Sequence, residues 1–214
     1  MCWNAEVSLN TFLFSGFVLL LIMYNNNFTQ YKIQFIEGID NIWAYIFMFS
    51  WILMQLIEFF IWKNIHNTGL NTIFSTMASM LLLIQPMASI MLLPNDIRMY
   101  VMIPYVLLAI PFFIYRYITK KEMASSVTKL NHLHWNTILY NDEPIPMLIW
   151  LCFFLLPLLY RGSLFGFIFA SLTLLVIMYN YYKDRSFSSM WCWIVNIVMI
   201  YFAAYLLFYL PFYK

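Results

Sequence analysis

Four residues that are costly inside an apolar segment lie on one stripe: Trp51, Gln55, Glu58 and Trp62. Their spacing of four, three and four residues places them on one face of a helix. A carboxylate inside a membrane span costs about 2.5–3.5 kcal/mol, and such residues usually face the bundle interior beside a partner. The stripe therefore predicts an internal polar or transport site, with Glu58 as its protonatable group. The alternative is that Glu58, five residues before Lys63, reaches the lipid headgroups.

Cysteine and histidine residues form a second candidate site, which overlaps the first. Cys2 precedes the first apolar segment, Cys192 lies in the first turn of the last one, and His132 and Trp135 lie in the longest loop. With seven spans, these positions all fall at one face of the membrane. Together with Glu58 they offer the thiolate, imidazole and carboxylate ligands that zinc accepts. A zinc or thiol site is one interpretation, and tryptophans packed around two buried thiols is the other.

The composition indicates that these residues belong to an integral membrane protein. The chain has 214 residues, of which 64% are hydrophobic and 9% charged, and its mean hydropathy is +0.78. Soluble proteins carry about 25% charged residues, so this is the composition of an integral membrane protein whose partner is the lipid bilayer. The absence of any basic run argues against nucleic acid as a partner. Three cysteines without a Cys-x-x-Cys pair predict no disulfide framework, and Cys152 is expected to pack inside the protein.

Hydropathy predicts an all-α bundle of seven transmembrane helices in a single domain covering residues 1–214. A span needs about 20 mostly apolar residues, and seven windows qualify or nearly so. The fifth window is short and contains Pro157, so it is the least certain to span. The seventh has no lysine, which excludes a retinal Schiff base there. The windows are 7–24, 42–62, 72–93, 99–117, 145–160, 163–182 and 189–211.

The distribution of Lys and Arg predicts the orientation. Seven of these residues fall on the face that holds the N-terminus, and four fall on the other. Because cytoplasmic loops carry the excess of Lys and Arg, the N-terminus is expected in the cytoplasm and the C-terminus outside. The seven are Lys63, Arg116, Lys120, Lys121, Lys129, Lys183 and Arg185; the four are Lys32, Arg98, Arg161 and Lys214.

The longest loop, Ile118–Pro144, alternates in character. Leu133, Trp135, Thr137 and Leu139 alternate with His132, His134, Asn136 and Ile138. A period of two is typical of a strand, so the loop is expected to form a strand or small hairpin on the membrane surface, or else an irregular interfacial loop.

Three short motifs resemble a family of polytopic membrane proteins of giant viruses and bacteria. They are the Met-Cys-Trp opening at Met1–Trp3, the Gln-x-x-Glu-x-x-x-Trp of Gln55–Trp62, and the Ser-x-Trp-Cys of Ser189–Cys192. A His-Leu-x-Trp element from His132 to Trp135 matches the viral members, and Phe59 replaces a glycine of the bacterial ones. The resemblance implies no activity. It implies importance for Cys2, Gln55, Glu58, Trp62, His132, Trp191 and Cys192.

The leading functional hypothesis is a small transporter or an ion- or proton-conducting protein in which Glu58 is the gate. It is motivated by a lone carboxylate on a polar stripe in a bundle with several proline-containing helices. One alternative is a membrane-embedded enzyme, metal-dependent in one version, with a Cys, His and Glu site at the cytoplasmic end. Another is a structural protein of a viral membrane. If one site is built from both ends of the chain, Cys2 and Cys192 must be near neighbours, reduced, with Glu58 and His132 beside them.

Overall fold

Helices make up most of the protein, as the apolar composition predicts. Without water, a membrane span must satisfy its backbone hydrogen bonds internally, and a helix does so within one segment. The structure is a computed structural model. It describes residues 4–30, 33, 42–119, 122–136 and 144–212.

The helices occupy the predicted windows, with ends shifted by a few residues. Asn4 caps the first helix through a hydrogen bond from the Val7 amide, and Asn67 caps the third through one from the Leu70 amide. The helices are α1 (Ala5–Phe28), α2 (Ile42–Lys63), α3 (Thr68–Ile90), α4 (Asn95–Thr119), α5 (Pro144–Tyr160), α6 (Leu164–Tyr181), α7 (Phe187–Ile194) and α8 (Ile197–Ala204).

Six helical segments in the described part of the chain are long and apolar enough to cross a membrane. They are α1, α2, α3, α4, α6 and the combined segment Phe187–Tyr209. The fifth predicted window forms a shorter apolar helix, α5, of 17 residues with Pro157 inside it. These segments fit a multi-pass membrane protein with six candidate spans and one shorter apolar helix.

The last predicted span, 189–211, is not one continuous helix. α7 ends at Ile194, a turn follows at Val195 and Asn196, and α8 continues to Ala204 before a π-helical turn, Tyr205–Tyr209. The Asn196 side chain donates to the carbonyl oxygen of Cys192 at 2.8 Å, which satisfies a backbone acceptor at the break. A side chain that bonds back to its own helix competes with the regular hydrogen-bond ladder, so Asn196 accounts for the interruption.

α2 lies at the centre of the packing, between α1 and α3. Its buried residues include Ile52, Met54 and Ile61, none of which exposes surface. Small residues let α3 approach closely, because Ser75, Ala78 and Ser79 are all fully buried. The core therefore surrounds the helix that carries the predicted polar stripe.

The long loop contains a small antiparallel hairpin, as one of the two interpretations of the loop predicted. Strand β1 (Ser126–Val127) pairs with β2 (Leu133–His134), with Val127 opposite Leu133. Leu133 and Trp135, which share one side of the alternation, are buried, and His132 from the other side is buried as well. The alternation therefore does not separate buried from exposed residues at His132. Residues 137–139 lie outside the described residues.

Cys152 was expected to pack inside the protein, and this prediction is wrong. Its side chain is exposed on α5. The apolar surface of a membrane helix can face lipid as well as protein, so hydrophobicity alone did not decide between the two.

Candidate functional site

The predicted polar stripe faces the interior of the bundle. Gln55 and Glu58 expose none of their surface, and Trp51 exposes 5%. Trp62 is half-buried, at the end of α2 nearest Lys63. The alternative that Glu58 reaches the headgroups is excluded by its complete burial, because a carboxylate that reached the headgroups would keep exposed surface.

Glu58 is hydrogen-bonded to a residue of another helix. The hydroxyl group of Ser189 on α7 donates to Glu58 Oε1 at 2.6 Å, across 131 residues of sequence, and Ser189 is itself buried. Hydroxyl donors bond to carboxylate oxygens at about 2.5–2.7 Å. This bond joins the Gln-x-x-Glu-x-x-x-Trp motif of α2 to the Ser-x-Trp-Cys motif of α7.

The beginning of α7 is fixed by the turn before it. Ser186 donates from its side chain to Asp184 at 2.8 Å, and Arg185 adopts a left-handed backbone conformation with φ of 58°. The carbonyl oxygen of Arg185 lies 2.8 Å from Nδ1 of His134 in the hairpin. The hairpin and the turn that precedes α7 are thus joined, four residues before Ser189.

Trp191 and Cys192 follow Ser189 within one turn, and both are buried. The Trp191 indole packs edge-on against Trp150 and Phe154, with ring centroids 6.3 and 5.9 Å away. Its N–H group lies within hydrogen-bonding distance of the Ala170 carbonyl oxygen, at 3.2 Å, and the Thr173 hydroxyl, at 3.3 Å. α7 therefore contacts α5 and α6 through Trp191 and α2 through Ser189.

The hairpin is anchored to α3 by a buried neutral network. Asn71 donates to the Ser125 carbonyl oxygen and accepts from its amide, both at 2.9 Å. The hydroxyl groups of Ser75 and Ser125 lie 2.7 Å apart. Each polar group of the network has a neutral partner, so the network fixes the loop without placing a charge in the interior.

His132 lies against the end of α6. Its ring meets that of Tyr181 edge-on, with centroids 5.2 Å apart. Burial lowers the pKa of His132 below its usual value, and the Asp184 carboxylate acts in the opposite direction. The neutral imidazole is therefore the favoured form in the folded protein.

The structure joins some of the predicted site residues and not others. Glu58 and Gln55 share the buried stripe, while Trp135 and Cys192 line one cavity. The described ring contact of His132 is with Tyr181 rather than with this stripe. Among the described residues no three His, Cys, Asp or Glu side chains form a group that could hold a metal ion. Cys2 lies outside the described residues, so its distance from Cys192 stays a prediction.

Ser189 was not among the residues predicted for the site. Ser189 precedes Cys192 by three residues, within the quoted Ser-x-Trp-Cys motif, so the motif held the signal although no role was assigned to the serine. Ser8 and Ser15 were missed too: both are fully buried on one face of α1, and within the described part of the chain their hydroxyl oxygens have no hydrogen-bond partner. Short hydroxyl side chains carry no hydropathy signal strong enough to separate them from packing residues.

Two cavities adjoin Trp191 and Cys192. The first, named here the loop-side cavity, has about 20 Å³ of free space and is lined by Trp135, Met147 and Trp150 besides this pair. The second, the deep cavity, has about 50 Å³ and is lined by residues that include Gln85, Leu158 and Gly166 besides the same pair. Met147 is in the first turn of α5 and Leu158 in its last, so the cavities lie towards opposite ends of that helix.

Comparison with known proteins gives no relative: no family model, no curated protein and no solved structure matches the chain.

Proposed function

We propose that the protein is a multi-pass membrane transporter or proton-conducting protein in which Glu58 is the protonatable residue. The observation that carries the proposal is the hydrogen bond between Glu58, fully buried on α2, and Ser189 on a different helix. The proposal includes the predicted orientation, with the N-terminus in the cytoplasm. It also includes the resemblance to the viral and bacterial family, since two of its motifs contain these two residues.

The chemistry of the pair supports a role in gating. An ionised carboxylate can only accept hydrogen bonds, and Ser189 supplies a donor. A protonated carboxyl group carries its own donor and no charge, so it needs the Ser189 hydroxyl less. A change of protonation at Glu58 therefore changes the strength of the contact between α2 and α7.

The shape of α7 supports the same role. It is only eight residues long and is separated from α8 by the turn at Val195 and Asn196. Short, interrupted helices are common at the substrate sites of transporters, where one half can move against the other. Ser189 and Trp191 both lie on this short segment, and Trp191 lines both cavities. A displacement of Ser189 caused by a change at the Glu58 carboxyl would therefore also move Trp191.

Proton flux in vesicles tests the proposal. The full chain is reconstituted in liposomes that hold a pH-sensitive dye, and flux is started by a proton gradient. We expect flux above that of empty liposomes. We expect Glu58→Gln to abolish this flux, because an amide side chain does not take up and release a proton as a carboxyl group does. The matched control is Glu6→Gln, which alters an exposed carboxyl in the first turn of α1 and should leave flux unchanged.

Two results would remove the proposal. Flux that survives in Glu58→Gln excludes this carboxyl from the mechanism. Wild-type flux that never exceeds that of empty liposomes, with protons or with added solutes, favours the enzyme or structural alternatives.

A further inference from the structure

The two cavities share a wall. Trp191 and Cys192 line both the loop-side cavity and the deep cavity, and the two cavities lie towards opposite ends of α5. The Trp191 ring is held in this wall by its edge-on contacts with Trp150 and Phe154. A rotation of one indole ring would therefore join two separate spaces into a single path along the bundle.

Both cavities are small in this state. Free space of about 20 Å³ and about 50 Å³ holds one to a few water-sized groups. A larger molecule fits only if side chains of the lining move.

The lining indicates which molecules could use this path. Among the described residues that line the two cavities none is charged, and most are aromatic or aliphatic. An ion that lost its water here without a partner of opposite charge would meet a large desolvation barrier. An uncharged, largely apolar molecule meets no such barrier.

A residue that lines the loop-side cavity carries a buried polar group without an acceptor among the described residues. Trp135 exposes only 4% of its surface, and within the described part of the chain its indole N–H has no hydrogen-bond partner. Buried donors in native proteins are nearly always satisfied, so each exception needs an explanation. Because Trp135 lines the cavity, a bound molecule that carries an acceptor can supply the missing bond.

We infer that the loop-side and deep cavities are the two halves of a substrate path divided by Trp191. We further infer that the substrate is an uncharged, largely apolar molecule with a hydrogen-bond acceptor that binds the Trp135 N–H. This inference rests on the proposed transport function and names its substrate class. Glu58 lines neither cavity, and its described hydrogen bond is with Ser189 on α7.

Binding of three matched probes tests the inference without any flux. The full chain in lipid nanodiscs is compared with empty nanodiscs by equilibrium dialysis against acetophenone, ethylbenzene and benzoate. Acetophenone is an uncharged ring with an acceptor, ethylbenzene lacks the acceptor, and benzoate is charged. We expect saturable binding of acetophenone that is about three- to tenfold tighter than that of ethylbenzene, the usual worth of one hydrogen bond. Benzoate should show none.

Two tryptophan variants locate the bond. Trp135→Phe keeps an aromatic ring and removes the N–H, so acetophenone and ethylbenzene should then bind equally. Trp193→Phe is the matched control, because the indole N–H of Trp193 donates to the Thr11 hydroxyl and Trp193 lines neither cavity. Its preference for acetophenone should match that of the wild type. Retained ethylbenzene binding shows that each variant is folded.

The outcomes separate this inference from the transport proposal. Absence of saturable binding, benzoate binding as tight as that of acetophenone, or a preference that survives in Trp135→Phe overturns the inference. Glu58→Gln should retain binding, since Glu58 lines neither cavity. Binding without Glu58-dependent flux supports the binding site and removes the transport proposal. Glu58-dependent flux without binding supports the transport proposal and overturns the inference about the substrate.

Discussion

Helices α2 and α4 are almost equally apolar, yet they occupy opposite environments. Their best 18-residue windows have mean hydropathies of 1.8 and 1.9, but 61% of the window is buried in α2 and 11% in α4. The buried residues of α2 include Gln55 and Glu58, whereas in α4 the buried residue is Tyr105. Hydropathy thus indicates which segments suit a membrane, and the costly polar residues indicate which helix faces the interior.

The largest expected effect contrasts a core position with a peripheral one. Ile52 on α2 exposes none of its surface, so Ile52→Ala should leave a cavity and lower the free energy of unfolding by about 2–5 kcal/mol. Leu108 on α4 is 53% exposed, and Leu108→Ala should change it by no more than about 0.5 kcal/mol. Thermal or denaturant unfolding in one detergent measures both variants. Equal losses would contradict the assignment of α2 to the interior and α4 to the periphery.

A second prediction concerns the neutral network on α3. Asn71→Ala removes the two hydrogen bonds to the Ser125 backbone and should cost about 2 kcal/mol of local stability. Faster amide hydrogen exchange at Ser125 and faster proteolysis of the loop would report the loss. Thr76→Ala on the same helix removes only a bond to the Thr72 carbonyl oxygen, so it serves as the control. Unchanged exchange in Asn71→Ala would show that the loop is held elsewhere.

A third prediction concerns the hydrogen bond of the ionisable Glu58 on α2. Ser189→Ala removes the hydroxyl donor from the buried Glu58, which should cost about 1–3 kcal/mol of unfolding free energy. Ser189→Thr keeps a hydroxyl group and should recover most of the loss. The neighbouring Ser188→Ala should be close to neutral, since Ser188 is half-buried. Full stability in Ser189→Ala would mean that this bond contributes little to holding α7.

The smallest expected effect is a pH dependence of the hairpin. Because burial lowers the pKa of His132, the unfolded loop binds a proton more readily than the folded one. The stabilising contribution is complete above the ordinary histidine pKa of about 6.5 and is lost as the pH falls through the lowered value. Proteolysis of the loop should therefore accelerate on acidification. His132→Phe should remove this dependence and His66→Gln, at an exposed site, should retain it.

The sequence predicted the elements that follow from composition and period. The apolar windows located the helices, and the spacing from Trp51 to Trp62 identified the buried face of α2. The sequence did not identify Ser189 as a hydrogen-bond partner of Glu58. The two residues are 131 positions apart, and only the packing of α2 against α7 brings them together. Nor did the sequence predict the helix break at Asn196. An asparagine in an apolar segment shows only as one polar residue, and its hydrogen bond to the Cys192 carbonyl oxygen is visible only in the structure.

The long loop also contains features that the sequence alone did not predict. Alternation placed Leu133 and Trp135 on one side of the loop and His132 on the other, without showing which side is buried. In the structure all three are buried, and the His132 ring packs against Tyr181. A histidine can pack as an aromatic ring when neutral, and the choice depends on a neighbour that the loop sequence does not contain.

Infrared difference spectroscopy of the full chain in nanodiscs tests the central claim, that the buried Glu58 carboxyl changes its protonation state in the folded protein. Spectra are recorded across the pH range in which the protein stays folded, and those of Glu58→Gln are subtracted to isolate one protonated carboxyl band. We predict that this band titrates and that its midpoint shifts in Ser189→Ala, because the hydroxyl group bonds to the carboxyl oxygen. A Glu58 band that is constant, or absent, at every pH would contradict the account.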